Sequence, residues 1–208
     1  MENKLISDSC ERFTSRLSSS DAVPGGGGAA ALAGALGASL CAMAANLTAG
    51  KKKYAEHEEK IQRVIKEADA LRLSFLELVD LDAQAFLPLS KAYGIDKNDP
   101  ERGETIRRAS LDACVPAGKM LELCGKTTEL LQQMFSMGNP MLISDVGCGA
   151  ELCLAAMNCA AMNVYVNTTD LKDDEEAEKL NMTVKNCLEK YAPAAEKLVR
   201  DVMKKLEG

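Results

Sequence analysis

Asp82 is the residue whose type and position point most directly to chemistry. It falls on an apolar helical stripe with three-to-four-residue spacing, made up of Phe75, Leu78, Val79, Phe86 and Leu89. A carboxylate on that face points inward, where its ionised form is costly without a partner. We therefore expect Asp82 either to meet an ion-pair or backbone partner near Pro88, or to have a raised pKa suited to proton transfer.

A run of four glycines after Pro24 leads directly into an Ala-rich helix. Free N–H groups at a helix N-terminus can hold a phosphate or carboxylate, which makes Gly25, Gly26 and Gly27 candidate anion ligands. The run is not a P-loop, because the Walker spacing is missing, and no strand precedes it as a dinucleotide fingerprint requires. Tight packing of helix starts explains the same glycines equally well, so both interpretations remain open.

A polar pattern recurs on a helix predicted nearer the C-terminus. Residues with three-to-four-residue spacing form one stripe there: Asp145, Gly149, Leu152, Ala156, Ala160, Asn163 and Asn167. Two asparagines four residues apart could bind the amide and amine edges of a heterocycle. Hydrogen bonding between helices in the core is the simpler explanation from the residues alone.

Lys51, Lys52 and Lys53, followed by Tyr54, form the one dense basic cluster of the sequence. A solvated helix end stabilised by the helix dipole explains at least one of these lysines. An anionic ligand tail would nevertheless find its strongest electrostatic partner here.

The composition excludes several functional classes. A net charge of -6 leaves no basic surplus to neutralise phosphates, so no nucleic-acid partner is expected. His57 is the single histidine and the eight cysteines form no C-x-x-C pair, so no metal site is expected, and no Ser-His-acid triad or activated cysteine is apparent. Eight thiols without a secretory leader predict a cytoplasmic protein.

The tract from Gly25 to Gly50 is long enough to span a membrane and contains no charged residue. Its apolar residues are mostly Ala and Gly, which make a weak span but allow helices to approach closely. Because the rest of the chain shows no second membrane segment, we expect a soluble protein that does not enter a membrane.

The elements that must position these side chains are helices. Ala, Leu, Met, Lys and Glu dominate, Trp is absent, and no period-two alternation is long enough for a strand. The sequence of 208 residues, 47% of them hydrophobic, predicts an all-α, single-domain bundle of about six helices over residues 1–208, with long members kinked by prolines.

Capping and stop signals set the expected helix ends. We expect a short helix to about Leu17, followed by helices over about 25–46 and 56–93, and Pro88 should kink the second of these near Phe86. The next helix should run from Asp99 and Pro100 to about Met137, and another from Asn139 and Pro140 to about Thr169. A last helix should begin at Asp173–Glu176, and Pro193 could divide it.

These segments, taken in order, resemble the cyclodeaminase/cyclohydrolase family, which includes the C-terminal domain of formiminotransferase-cyclodeaminase and stand-alone bacterial methenyltetrahydrofolate cyclohydrolases. The resemblance covers nearly the whole chain and is carried by Pro24–Gly28, Gly50–Tyr54, Asp82–Phe86, Lys97–Glu101, Gly138–Asn139, Ser144–Asp145 and Asn163–Asn167. The sequence departs from the family at Gly28, where a serine is common, so residue 28 offers no hydroxyl to a ligand.

The resemblance implies an all-helical fold, a homodimer or larger symmetric assembly, and a folate site with no cofactor beyond the tetrahydrofolate-derived substrate. It makes Asp82 the leading catalytic residue and Asp145 the second. The residues expected to bind substrate are Gly25, Gly26, Gly27, Lys51, Lys52, Lys53, Phe86, Ser144, Asn163 and Asn167.

Two reactions are implied, both at the carbon that bridges the folate nitrogens. We favour the cyclohydrolase, in which water opens 5,10-methenyltetrahydrofolate to 10-formyltetrahydrofolate, because no formiminotransferase domain is fused to this chain. The alternative is formiminotetrahydrofolate cyclodeaminase, which releases ammonia and forms 5,10-methenyltetrahydrofolate. A non-catalytic folate-binding helical protein is the alternative of another class, and an inward Asp82 argues against it.

Overall fold

The structure is a computed structural model that describes residues 4–208. Six α-helices follow one another along the chain: α1 (Cys10–Leu17), α2 (Gly26–Asn46), α3 (Glu58–Tyr93), α4 (Arg102–Met137), α5 (Ile143–Thr168) and α6 (Glu175–Glu207). Short 3-10 helices lie at Leu5–Ser7, Lys52–His57 and Pro140–Leu142. Over the described residues there is no strand, and the all-α prediction of about six helices is confirmed.

Several helix ends lie where the local chemistry predicts them. The α2 helix begins directly after Gly25 and ends at Asn46. The Asn139 side chain accepts a hydrogen bond from the Met141 N–H before α5. Asp174 accepts from the backbone N–H groups of Glu176 and Ala177, which caps the acidic first turn of α6.

Two expectations about prolines are corrected. The α4 helix begins at Arg102 rather than at Pro100, because Asp99 caps a preceding turn by accepting from the Glu101 N–H at 2.8 Å. Pro193 does not divide the last helix, since α6 is continuous over Glu175–Glu207. A proline removes one backbone hydrogen bond, and the buried face that follows keeps the helix packed on the bundle.

Small residues let α2 and α5 pack closely in antiparallel directions. A Cβ added at Gly37 of α2 would lie 2.6 Å from the Cys153 Sγ and 3.0 Å from the Gly149 carbonyl oxygen of α5. On its other side α2 contacts α3, where the Phe75 ring occupies the space beside Gly34. The Ala/Gly-rich helix is therefore the central element of the bundle.

Most buried side chains belong to one core that draws on all six α-helices. A smaller apolar cluster, formed by Leu89, Ala109 and Ala113 with Phe86 and Ile106 packed against it, joins the end of α3 to the start of α4. This second cluster supports one wall of the pocket described below.

Two helices are long and apolar enough to cross a membrane by length and composition alone, Gly26–Asn46 and Pro140–Thr168. The expectation that no second segment passes this test is therefore wrong. The apolar window is 56% buried in the first and 39% buried in the second, so α5 keeps much of its apolar surface exposed.

Candidate active site

A pocket lies where the first turn of α2, the C-terminal third of α3, the first third of α4 and the last turns of α5 meet. Its cavity volume is about 150 Å³. It is lined by Ala22, Val23, Gly25, Gly26, Gly27, Asp82, Phe86, Ala113, Asn163, Val166 and Asn167. The pocket thus brings together the glycine turn, the leading carboxylate, Phe86 and both asparagines predicted from the sequence.

The carboxylate of Asp82 packs directly on the first turn of α2. A Cβ added at Gly27 would overlap its carboxylate carbon and both of its oxygens, so only glycine leaves room for this contact. The N-cap residue Gly25 offers no side chain to the helix, and the nearby backbone N–H of Gly28 favours the charged form of the carboxylate. Asp82 is therefore the acidic group at the positive end of α2.

Two opposing effects set the proton affinity of Asp82. Burial disfavours the charged form and raises its pKa to about 6, while the backbone of Gly28 acts in the opposite direction. Desolvation is the larger effect. At neutral pH the group is mostly ionised yet close to its pKa, which suits a general base.

The two asparagines lie on successive turns of α5. The Nδ2 of Asn163 donates to the Cys159 carbonyl at 2.8 Å, and its Oδ1 accepts no hydrogen bond from any residue between 4 and 208, so it remains an acceptor at the pocket wall. The Cys114 thiol donates to the Ser110 carbonyl at 3.3 Å. Burial raises the pKa of this thiol to about 11, and nearby Asn167 opposes that rise.

Apolar residues complete the walls of the pocket. Phe86 follows Asp82 by one helical turn, while Val23, Ala113 and Val166 come from three other segments. The sequence analysis did not predict Val23, Ala113, Val166 or Ala22 as site residues, because an apolar side chain gives no indication in the sequence that it lines a pocket. Only Val166 had a usable signal, since it lies three residues after Asn163 on the same helix.

The remaining predicted site residues lie elsewhere. Lys51, Lys52 and Lys53 are exposed beyond the C-terminal end of α2, while Ser144 and Asp145 lie in the first turn of α5.

Two hydrogen bonds hold these two segments together. The Tyr54 hydroxyl donates to the Asn139 Oδ1 at 3.3 Å, and the Asn139 N–H donates to the Thr48 Oγ1 at 3.1 Å.

The predicted residues thus form two groups at opposite ends of one protomer. Asp145 and Asn163 are 18 residues apart on α5, which corresponds to roughly 27 Å at the rise of an α-helix. We refer to the group around Asp82 as the pocket end, and to Lys51–Lys53 with Ser144 and Asp145 as the lysine end. The roles predicted for the lysine end stay predictions.

No cluster of three or more His, Cys, Asp or Glu side chains that could hold a metal occurs within residues 4–208. Burial raises the pKa of Cys41 to about 12 and shifts Cys124 and Cys153 in the same direction, so these thiols are protonated at neutral pH.

The sequence model described as formiminotransferase-cyclodeaminase matches residues 9–186. The chain belongs to this family. It is 34% identical over 203 residues to a methenyltetrahydrofolate cyclohydrolase of Methylorubrum extorquens, covering 96% of this chain and 98% of that protein.

Two further relatives show the range of the family. The chain is 29% identical over 192 residues to the formimidoyltransferase-cyclodeaminase of Mus musculus, covering 90% of this chain but only 36% of that longer protein. The crystal structure of formiminotetrahydrofolate cyclodeaminase from Thermotoga maritima has the same fold, with a TM-score of 0.79 and 23% identity over 96% of this chain and 100% of that chain.

Proposed function

We propose that this chain is a methenyltetrahydrofolate cyclohydrolase, which converts 5,10-methenyltetrahydrofolate and water to 10-formyltetrahydrofolate. The observation that carries the proposal is the desolvated carboxylate of Asp82, held against Gly27 in the pocket. Similarity along nearly both full lengths to the Methylorubrum extorquens cyclohydrolase supports this choice of reaction.

The proposed chemistry uses Asp82 as a general base and as a fixed negative charge. The substrate shares a positive charge among N5, the methenyl carbon and N10, which an adjacent carboxylate stabilises. Water bonds to that carbon while Asp82 accepts its proton, giving a neutral tetrahedral adduct. The hydroxyl of the adduct then loses its proton as the bond between the carbon and N5 breaks, and N5 takes a proton. The resulting formyl group stays on N10, and one proton is released overall.

The other pocket residues bind and orient the substrate in this proposal. The amides of Asn163 and Asn167 hydrogen-bond the polar edges of the pterin ring, and Phe86 with its apolar neighbours supplies the walls. Excluding bulk water from this space maintains the high proton affinity of Asp82.

The second candidate is formiminotetrahydrofolate cyclodeaminase, which similarity to the Mus musculus protein over 90% of this chain favours. In that reaction N10 attacks the carbon of the protonated formimino group, and Asp82 takes the N10 proton and passes it to the leaving amino group. Ammonia then leaves, and the carbon is joined to both nitrogens in the methenyl cation. The same pocket serves both reactions. A desolvated base in a pocket favours either enzyme over a purely folate-binding protein.

We also propose that the enzyme is a cytoplasmic homodimer that needs no metal and no cofactor beyond its tetrahydrofolate-derived substrate. Eight unpaired thiols suit a reducing compartment. His57 is the sole histidine of the sequence, and it lies at the lysine end of the bundle rather than in the pocket. The exposed apolar surface of α5 suits a subunit contact.

Assays of the purified protein with each substrate test the proposal. We expect loss of methenyltetrahydrofolate with matching formation of 10-formyltetrahydrofolate, unaffected by a chelator. Ammonia release from formiminotetrahydrofolate, without hydrolysis of the methenyl compound, would instead assign the cyclodeaminase. Tight folate binding without either turnover would leave the binding protein as the remaining candidate.

A further inference from the structure

The pocket contains one ionisable side chain and no cationic one. Its polar side chains are those of Asp82, Asn163 and Asn167, and the rest of its lining is glycine or apolar. No Lys, Arg or His side chain among residues 4–208 lines it. Burial raises the pKa of Asp82 only to about 6, so the carboxylate is mostly ionised at neutral pH. A desolvated negative charge in such surroundings attracts a cationic group from a ligand.

The positive end of α2 has no place for a second anion. The Ala29 N–H donates to the Gly25 carbonyl at 3.0 Å, whereas the N–H groups of Gly26–Gly28 have no acceptor within the helix. The Asp82 carboxylate packs on this turn, where a Cβ added at Gly27 would overlap it. The anion at this helix end is therefore part of the protein, and an anionic ligand would meet a carboxylate already in place.

Asn163 adds a fixed acceptor near the carboxylate. Its Nδ2 donates to the Cys159 carbonyl at 2.8 Å and lies 3.8 Å from the position of a Cβ added at Gly26. Because Gly26 and Gly27 are consecutive, Asn163 and Asp82 contact the same turn of α2. The bond to Cys159 leaves the Oδ1 of Asn163 for a ligand, so two of the three polar side chains offer oxygen atoms to a hydrogen-bond donor.

The cavity is small and its walls are apolar. Its volume of about 150 Å³ is well short of the roughly 300 Å³ of sites that enclose a drug-sized ligand. Phe86, Val23, Ala113 and Val166 supply the walls, and an aromatic ring such as Phe86 attracts cations to its face. The space suits a planar cationic group of a few heavy atoms rather than a whole folate.

We propose that the pocket is a binding site for planar amidinium and guanidinium cations, the class that includes the charged N5–carbon–N10 unit of the proposed substrate. Asp82 supplies the opposite charge, and Asn163 accepts from an N–H group where the ligand has one. The inference rests on the proposed function for the identity of the natural ligand. The class of ligand follows from the pocket residues alone.

Charge is the property that separates the preferred ligands from neutral molecules of the same shape. Acetamidinium and acetamide differ only in that an amino group replaces the carbonyl oxygen, and only the first is a cation. The carbonyl oxygen of acetamide would also face the acceptor oxygens of Asp82 and Asn163. Without the ion pair, and with one acceptor set against others, acetamide should bind at least about tenfold more weakly.

Titrations followed by ligand-detected NMR at pH 7.5 and constant ionic strength test this preference. We expect the dissociation constant of acetamidinium to be at least about tenfold below that of acetamide for the wild-type protein. Asp82→Asn, with its fold checked by circular dichroism, should reduce the ratio to about threefold or less. Asp112→Asn is the matched control, because Asp112 is exposed on α4 beside Ala113 and does not line the pocket, so this variant should keep the preference.

Lowering the pH tests the same preference in the wild-type protein, and it decides the question even where Asp82→Asn does not fold. The elements around Asp82 contribute no other ionisable side chain to the lining within residues 4–208, and the thiol of Cys114 on α4, with a pKa of about 11, stays protonated. Acetamidinium keeps its charge at pH 5, whereas Asp82 gains a proton. Its dissociation constant should therefore rise about fivefold or more between pH 7.5 and pH 5, with less than about a twofold change for acetamide.

A matched pair of folates connects the cation site to the proposed function. 5-Formimino-10-methyltetrahydrofolate carries a protonated amidine, and its 5-formyl counterpart is neutral. The methyl group removes the N10 proton that ring closure must lose, so neither compound reacts. We expect the formimino compound to bind the wild-type protein at least about tenfold more tightly, and Asp82→Asn to lose most of this difference. Equal affinities of the two folates would show that the charged unit of the folate does not enter the pocket.

The outcomes separate the cation site from the proposed reaction. Equal binding of acetamidinium and acetamide, binding of neither, or an unchanged preference in folded Asp82→Asn or at pH 5 would overturn the inference. Protein that prefers acetamidinium but turns over neither methenyltetrahydrofolate nor formiminotetrahydrofolate would retain the cation site and contradict the proposed function. Protein that hydrolyses methenyltetrahydrofolate without any preference for the cation would do the reverse.

Discussion

The pocket end and the lysine end of the bundle place their charged groups in opposite surroundings, one partly buried and the other exposed. At the pocket end, Asp82 is half-buried against Gly27, and burial raises its pKa to about 6. At the lysine end, Lys51–Lys53 are exposed on a 3-10 turn whose neighbouring Gly50 N–H donates to Glu58. We infer from this difference that the desolvated carboxylate transfers protons, whereas the solvated lysines attract the anionic ligand.

Removing the pocket-end carboxylate should have the largest effect. Asp82→Asn keeps the side-chain volume but removes both the negative charge and the proton acceptor. We expect kcat to fall by roughly a hundredfold or more, measured by steady-state kinetics, with the helical circular dichroism spectrum unchanged.

Asp145→Asn is the matched change at the lysine end, and it should raise KM more than it lowers kcat. Near-normal turnover in Asp82→Asn together with a severe kcat defect in Asp145→Asn would reverse the two roles. An unfolded Asp82→Asn protein would show that the carboxylate is structural.

Filling the space beside the carboxylate should have the next largest effect. In Gly27→Ala the added methyl overlaps the Asp82 carboxylate, which must move away from the first turn of α2. We expect kcat/KM to fall by about tenfold or more. Gly118→Ala on α4 is the control, because nothing lies within 4 Å of its added Cβ. Unchanged kinetics in Gly27→Ala would mean that the contact does not position Asp82.

The pH dependence should reveal the raised pKa of Asp82. Below about pH 6 the carboxylate is protonated and cannot act as a base, so kcat/KM should fall about tenfold per pH unit and reach a plateau above that value. Asp82→Asn should lose this limb of the profile. A limb that persists in the variant would assign the titration to another group.

The free energy of unfolding should also depend on pH through the protonation of Asp82. Because the pKa is raised on folding, protonation of Asp82 favours the folded state, and this stabilisation is lost as pH rises through about 6. Chemical denaturation should therefore show wild-type protein gaining stability relative to Asp82→Asn as pH falls from 7 to 4.

Neutralising the lysine end should have the smallest effect. Lys52→Met with Lys53→Met should raise KM about threefold for polyglutamylated substrate, with less effect at high salt and little change in kcat. Lys66→Met with Lys119→Met, on α3 and α4, is the control for lost net charge. Equal losses for substrates with and without the tail would argue against this role.

The sequence was sufficient to predict most of the fold because its signals are local. The glycine run fixes the start of α2, Asp174 caps α6, and an uninterrupted apolar period carries α3 past Pro88 to Tyr93. The prediction about Pro193 failed because packing of the following turns outweighs one lost backbone hydrogen bond.

The candidate site was predicted less completely, because residues on the same face of a helix can lie far apart along its axis and so belong to different sites. Asp82 was placed correctly on an inward stripe, since the period of one helix decides which residues face the core. The same period places Asp145 and Asn163 on related faces of α5, yet the helical rise separates them along its axis. The crossing of α2 over Asp82 depends on tertiary packing, which no local pattern encodes.

The contact between Gly27 and Asp82 also limits how this sequence can change over time. Any side chain at residue 27 would occupy the position of the carboxylate, so this substitution becomes acceptable only after residue 82 has become shorter or has moved. Shortening residue 82 first removes the proposed base. Residues 27 and 82 should therefore change together. A related protein that keeps the reaction should keep both Gly27 and Asp82, whereas one that has lost the carboxylate can accept a side chain at residue 27.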